Sequence, residues 1–387
     1  MQLSDFFETV TPAKVINQLM PLEDTLGNQI VYGIADGWDF NDLKKFEVAI
    51  VGLADDKNAP QNQGCSQAVS TIRDSLSALR KTSRDIQIVD LGNLKGKTLN
   101  DRYFALAEVT QLLSASGLCM LLVGGGQDYV LPLTKGLARD KNDLSVTIVD
   151  AKLDFCHNGT DFSAHTFLSE LGAHYNKDIF ELNILGAQNY LLGESQVSKM
   201  NRLGWECVRL KELRGENIDC AEPFCRDAEL FCFDVGAIQQ SYLPYYSNIN
   251  INGFTGYEAC QLAWYAGAGA TSKAFCLSEY NPTIDKTGKG SMLCAEIIWH
   301  FLDAKSQYTR EIPKEHMQEY KISVVHLHDF DVHIRFYSNR LNNRWWIEVP
   351  WKNGIKLLAC SKKDYLKAQS GELPDKWWKF YKKQNQG

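Results

Sequence analysis

Four short segments carry the residue types that chemistry needs. Gly124-Gly125-Gly126-Gln127-Asp128 follows one apolar run, and Asp150-Ala151-Lys152-Leu153-Asp154 follows the next. Asp234-Val235-Gly236 closes a third run, and Asn252-Gly253-Phe254-Thr255-Gly256-Tyr257-Glu258 opens a helical pattern. Carboxylates gathered in one place repel one another, so Asp150, Asp154 and Asp234 demand a cation among them. Residues 124–126 lack the Gly-Lys-Ser/Thr ending of a phosphate-binding loop and read as a tight turn at a strand end. Cys156 and His157, just beyond Asp154, are a candidate nucleophile and base, although sequence neighbours rarely align that way. His165 lies where a loop enters a helical pattern.

These segments need a scaffold that brings them together. Apolar, β-branched runs recur at 48–53, 86–90, 118–123, 146–150, 182–185, 207–210, 230–234 and 274–277. Amphipathic stretches at 67–80, 103–116, 194–203 and 257–267 alternate with them. Continuous apolar strands alternating with helices imply a parallel sheet covered on both faces. The expected fold class is therefore α/β, a three-layer α/β/α sandwich around a parallel sheet of about eight strands. Ligands of such sheets bind beyond the carboxyl ends of the strands, where three of the four segments lie.

The texture changes after about residue 311. Residues 322–337 and 344–349 alternate around the turn-forming run 338–343, which predicts a C-terminal β-hairpin. A lysine-rich aromatic tail with Trp377 and Trp378 follows. The expected division is an N-terminal helical extension over 1–45, the α/β domain over 46–310, and the hairpin with its Trp-rich tail over 311–387, packed on that domain. His326, His328, Asp329, Asp331 and His333 contain a ligand-like i, i+2 histidine pair, but strand alternation alone produces such pairs. Trp345 and Trp346 read as the packing face of the hairpin. The tail is a candidate docking segment for a protein partner, because a terminus this aromatic needs a cover.

A net charge of -6 offers no general attraction to nucleic acid or to an anionic membrane. No apolar run approaches the roughly 18 residues of a membrane span. The opening MQLSDFFETV has neither a basic nor an apolar leader region, so no secretory signal is expected. Eleven scattered cysteines, an odd number without a C-x-x-C pair, favour free thiols and a cytoplasmic setting. Cys220 and Cys225 are the closest-spaced candidates for a pair.

The order and spacing of the four segments resemble the ureohydrolase family of arginase, agmatinase and especially formimidoylglutamase. That family carries G-G-G-H-E or G-G-D-H, then D-A-H-x-D, then S-x-D-x-D, then G-[GL]-x-T-x-x-E. The likeness begins near Val48, includes Asn62-Gln63-Gly64 and Ala68 to Arg73, and runs to about Leu302. It implies an eight-stranded parallel α/β/α sandwich, homo-oligomeric assembly and hydrolysis of linear amidines at two manganese ions held by two histidines and four aspartates.

This chain departs from that pattern at three of the six ligand positions. Gln127 and Lys152 stand where the resemblance places the histidines, and Gly236 stands at the last aspartate, while Asp150, Asp154 and Asp234 remain. One implied ion would keep Asp150, Asp154 and Asp234, with Gln127 offering a carbonyl oxygen. The other loses two ligands, and the Lys152 ammonium could supply charge in its place, paired with Asp150 and Asp234. Gln127, Asp128, Lys152, His165 and Glu258 then form a vestigial cleft, with Glu258 at the family's substrate-binding glutamate. The expectation is a pseudoenzyme that binds an amidine or guanidinium small molecule or a protein partner, without a cofactor or with one weakly held Mn2+ or Mg2+. The alternative is a formimidoylglutamase- or arginase-type hydrolase that works with a single metal.

Overall fold

The computed structural model describes residues 2–10, 20–34, 38–139, 143–156, 161–244, 251–307, 311, 313, 317–352 and 354–385. Eight parallel strands form the central sheet: β3 (Val48–Gly52), β4 (Ile88–Leu94), β5 (Cys119–Val123), β6 (Leu144–Val149), β7 (Ile179–Ala187), β8 (Glu206–Arg209), β9 (Leu230–Asp234) and β10 (Ala274–Ser278). Two short strands near the amino terminus, β1 (Phe7–Glu8) and β2 (Val31–Tyr32), add to β4, with β1 antiparallel. The order along the sheet is β1-β4-β3-β5-β10-β9-β6-β7-β8. All eight apolar runs therefore become strands of one sheet, and the α/β sandwich expected from their alternation is the observed fold.

Burial explains why these strands are apolar throughout. Every residue of β3, β5, β6, β7, β9 and β10 is buried, because helices cover both faces of the sheet. One helical layer includes Ala68–Ser77, Gly256–Gly267 and Lys289–Gln307, whose apolar sides join one core cluster. The opposite layer includes Leu99–Ala115, Val130–Ala138 and Phe167–His174, which join the second. The helix Leu99–Ala115 starts at a capping box, with Thr98 Oγ1 accepting from Asp101 N at 3.1 Å and Thr98 N donating to Asp101 Oδ2 at 2.9 Å. Thr98→Ala is expected to cost about 1 kcal/mol in urea denaturation. No measurable change would mean that this exposed cap contributes nothing.

The C-terminal region goes beyond the expected hairpin. It is a four-stranded antiparallel sheet of β11 (Tyr320–Leu327), β12 (Val332–Asn339), β13 (Trp345–Trp351) and β14 (Gly354–Cys360), followed by helices Lys362–Gln369 and Asp375–Asn385. The run 322–337, read as one strand, contains a turn at His328–Phe330, and Asp331 takes a left-handed φ of +51° that reverses the chain. A third core of Leu327, Ile334, Phe336, Ile347, Trp377 and Phe380 joins this sheet to the last helix. Trp346 is buried beneath the Arg226 guanidinium, which lies 4.3 Å from its ring centroid, and Trp345 stacks on Tyr365. Trp377 is buried, whereas Trp378 is 40% exposed.

This added unit docks at the amino ends of the parallel strands. Phe180, at the start of β7, stacks on Phe380 with ring centroids 4.3 Å apart. Ala359 N donates to Asp227, shortly before β9, and Lys352 pairs with Asp143, just before β6. The opposite, carboxyl-end edge is left to the strand-end segments. None of the eleven cysteines, Cys220 and Cys225 included, is in a disulfide, and no helix among the described residues is long and apolar enough to cross a membrane.

Candidate functional site

Strand order gathers the candidate residues. β5, β10, β9 and β6 are consecutive neighbours and all parallel, so their carboxyl ends open together. Gln127 follows β5, Asp234 ends β9, and Asp150 follows β6. The fourth member is Glu279, directly after β10. The sequence reading missed it, although the strand-end rule that selected Asp150 applies equally to an acidic residue after the run 274–277.

The turn after β5 explains the glycines. Gly124 and Gly125 have φ of +90° and +75°, and a Cβ on Gly125 would lie 2.5 Å from Leu53 Cδ2. The segment is a tight turn that carries Gln127 into the site. Gln127 N donates to Glu279 Oε1 at 2.8 Å, and Asn62 Nδ2 donates to Glu279 Oε2 at 2.6 Å. Glu279 is buried and has φ of +71°, a left-handed conformation that a non-glycine residue keeps only when its surroundings hold it there.

Lys152 lies among the acids. Its backbone N donates to Asp150 Oδ1 at 2.9 Å, and its side chain is 19% exposed. Its one ion pair within 4.0 Å among the described residues is with Asp154, at 4.0 Å, where the sequence reading had paired it with Asp150 and Asp234. The D-A-K-L-D turn returns Asp154 toward the ammonium, while the Asp150 carboxylate is occupied by the backbone of its own loop. Burial disfavours the charge on Lys152, but Asp154, Asp150, Asp234 and Glu279 outweigh it and hold the ammonium above its usual range. Burial raises Asp150 well above the usual carboxylate range, with Asp154 and Asp234 adding to the effect. Burial and then Glu279 push Asp234 up to about 8, against the pull of Lys152. Glu279 is pushed up to about 7 by burial, opposed by its bonds from Asn62 and Gln127.

Buried polar atoms of this region that lack a hydrogen-bond partner among the described residues include Asp154 Oδ2, Asp128 Oδ1, Gln127 Nε2 and His165 Nε2. His165 feels both Lys152 and Asp154, and burial followed by Lys152 pushes its pKa down, which favours the neutral imidazole. Asp128 is buried beside the site, accepts a short hydrogen bond from the Tyr103 hydroxyl, and is raised by burial to about 7.

Other candidates fall elsewhere. Glu258 is committed to local structure: Oε2 accepts from Thr255 N at 2.8 Å in a capping box, and Oε1 accepts from Gly215 N at 2.8 Å. Arg214 lies 3.9 Å from the same oxygen. Cys156 N donates to Ser169 Oγ, and His157 lies outside the described residues. His326, His328 and His333 meet on the β11–β12 hairpin, with the His326 and His333 rings stacked at 4.0 Å. Among the described residues, no three His, Cys, Asp or Glu side chains form a ready ligand set.

Known proteins share this arrangement of strands. A formimidoylglutamase of Staphylococcus epidermidis is 23% identical over 283 residues, covering 70% of this chain and 91% of that protein. One from an Enterobacter species is 21% identical over 263 residues, covering 65% and 84%. The solved formiminoglutamase of Trypanosoma cruzi with Mn2+ superposes with a TM-score of 0.63 at 20% identity, over 68% of this chain and 95% of that one. Formimidoylglutamase of Bacillus subtilis gives 0.66 at 17% identity, over 78% and 97%. At these identities the superpositions speak for the fold. The sequence profile of the arginase family matches residues 46–303, two-thirds of the protein, and this chain belongs to the arginase family.

Proposed function

We propose that the protein is a ureohydrolase-like, non-hydrolytic binder of a small amidine or guanidinium compound, in which the Lys152 ammonium replaces one metal ion. The observation that carries this reading is Lys152 itself, largely buried and kept protonated by Asp154, Asp150, Asp234 and Glu279. An ammonium offers charge but no orbital for water, so it cannot generate the hydroxide that two-metal hydrolysis requires near neutral pH. Four carboxyls surround one ammonium, so a cationic amidinium head can enter as the counter-charge that lets the raised acids ionise. Such a ligand would favour ionisation of Asp234 and Glu279 and release protons on binding.

The donors do not suit a two-ion centre. Lys152 and Gly236 contribute no ligand where the family resemblance needs a histidine and an aspartate, and Asp234 Oδ1 already accepts from Gly236 N at 2.7 Å. A second reading, a hydrolase of formimidoylglutamate-like amidines with one metal, is favoured by Asp154 Oδ2, which is buried without a hydrogen-bond partner among the described residues. Incubation with excess manganese, gel filtration and mass-spectrometric metal analysis separates the two. The proposed function predicts less than a tenth of an equivalent retained, to order of magnitude, and no turnover of formimidoylglutamate, arginine or agmatine. One equivalent lost in Asp154→Ala would establish the second reading. Two equivalents would overturn the role given to Lys152.

A further inference from the structure

A second polar cavity lies at the other end of the sheet, where the last helix, Asp375–Asn385, meets the segment entering β8. It encloses about 630 Å3, within the range of small-molecule sites. Arg202, Lys376, Lys379, Lys382 and Lys383 line it, opposed by the carboxylates of Glu206 and Asp375. Most of these cations come from the C-terminal helix, beyond the residues matched to the arginase family.

The two acids of the wall are already committed. Lys379 Nζ lies 2.9 Å from Glu206 Oε2, and Asp375 is held at 2.8 Å by Lys367, outside the cavity wall. Glu181, buried behind the wall, lies 3.9 Å from both Lys376 and Lys379. Arg202 and Lys382 are exposed and have no ion pair among the described residues, and Lys382 lies over the Trp378 ring. Lys383 donates to the carbonyls of Ile179 and Phe180 at 3.2 and 2.7 Å. Burial and then Lys379 push Lys383 down to about 8, despite Glu181 and Asp143. The wall is thus short of negative charge in a chain whose net charge is -6.

We propose that this cavity binds a phosphate-bearing small molecule, recognised by Arg202, Lys382 and Lys383. Phosphate groups concentrate several charges and acceptor oxygens in a small volume, which suits lysines acting as point charges beside an arginine fork. The bound molecule bridges the family core to the C-terminal helix and stabilises their docking, remote from the strand-end acids.

The probe is inorganic pyrophosphate, titrated calorimetrically into the full chain without divalent cations. One site per chain is expected, weakening with added salt. Arg202→Glu combined with Lys382→Glu should weaken binding by about tenfold or more. Both side chains are exposed, so circular dichroism should show an intact fold. Lys97→Glu, an exposed charge reversal elsewhere, should leave the affinity unchanged. No heat with millimolar pyrophosphate, an equal loss in Lys97→Glu, or binding of an acidic peptide but not pyrophosphate would each overturn the proposal.

Discussion

Replacing Lys152 by alanine is expected to lower stability at pH 8 by about 3 kcal/mol, as when one partner of a buried charged cluster is removed. Asp150, Asp154, Asp234 and Glu279 all act on this ammonium, and among the described residues no other cation pairs with Asp154 within 4.0 Å. Without it, the carboxylates must either repel one another or take up protons. Protonation is cheaper at low pH, so the difference between wild type and Lys152→Ala should shrink toward pH 5. That pH signature distinguishes a lost counter-charge from lost packing of the lysine stem, which would be independent of pH. Lys152→Met keeps most of the stem and should reproduce the same dependence. Equal melting temperatures for wild type and Lys152→Ala at pH 8 would remove the ammonium from its assigned role.

The strand-end acids should also make the wild-type chain more stable in mild acid than in mild base. Burial raises Asp234 to about 8, and Glu279 and Asp128 to about 7. Each binds its proton more tightly folded than unfolded. Its stabilising contribution is therefore complete below about pH 4 and is lost as pH rises through 7 to 8. One pKa unit corresponds to about 1.4 kcal/mol per group, so the three groups together should lower stability by several kcal/mol between pH 5 and pH 8. Urea denaturation at both values measures the slope. Asp128→Asn keeps an acceptor for the Tyr103 hydroxyl and removes one titrating group, so the slope should flatten without a large loss at pH 5. An unaltered slope in that variant would show that Asp128 stays ionised throughout. A cationic ligand in the cleft would reduce the same slope by favouring the ionised acids.

Residue types and local spacing determined much of this protein. Eight apolar runs marked the parallel strands, because a strand covered on both faces must be apolar throughout, and the burial of β3, β5, β6, β7, β9 and β10 follows that rule. The positions of Asp150 and Asp234 at strand ends, and of Gly124 and Gly125 in a positive-φ turn, are properties of a few adjacent residues. For the same reason the four-segment spacing sufficed to reveal the family.

Only the tertiary structure decided which strand ends are neighbours. The order β5-β10-β9-β6 joins residues more than a hundred positions apart, and it brings Glu279 to Gln127 through a bond that no local pattern contains. Within the loop after β6, the Lys152 ammonium pairs with Asp154, because the Asp150 carboxylate is held by the backbone of that loop. Glu258, expected in the cleft from its motif, also accepts from Gly215 N and lies 3.9 Å from the Arg214 guanidinium, contacts across the chain that its motif does not contain. The four-stranded C-terminal sheet was half legible, since alternation shows strands but not the left-handed residue that divides them. Its place at the amino ends of the parallel strands, opposite the acids, depends on Phe180, Asp227 and Asp143, each contacting residues far away in the chain. Hydrophobic periodicity is a local quantity, whereas charge pairing and docking depend on distances that the chain acquires only on folding.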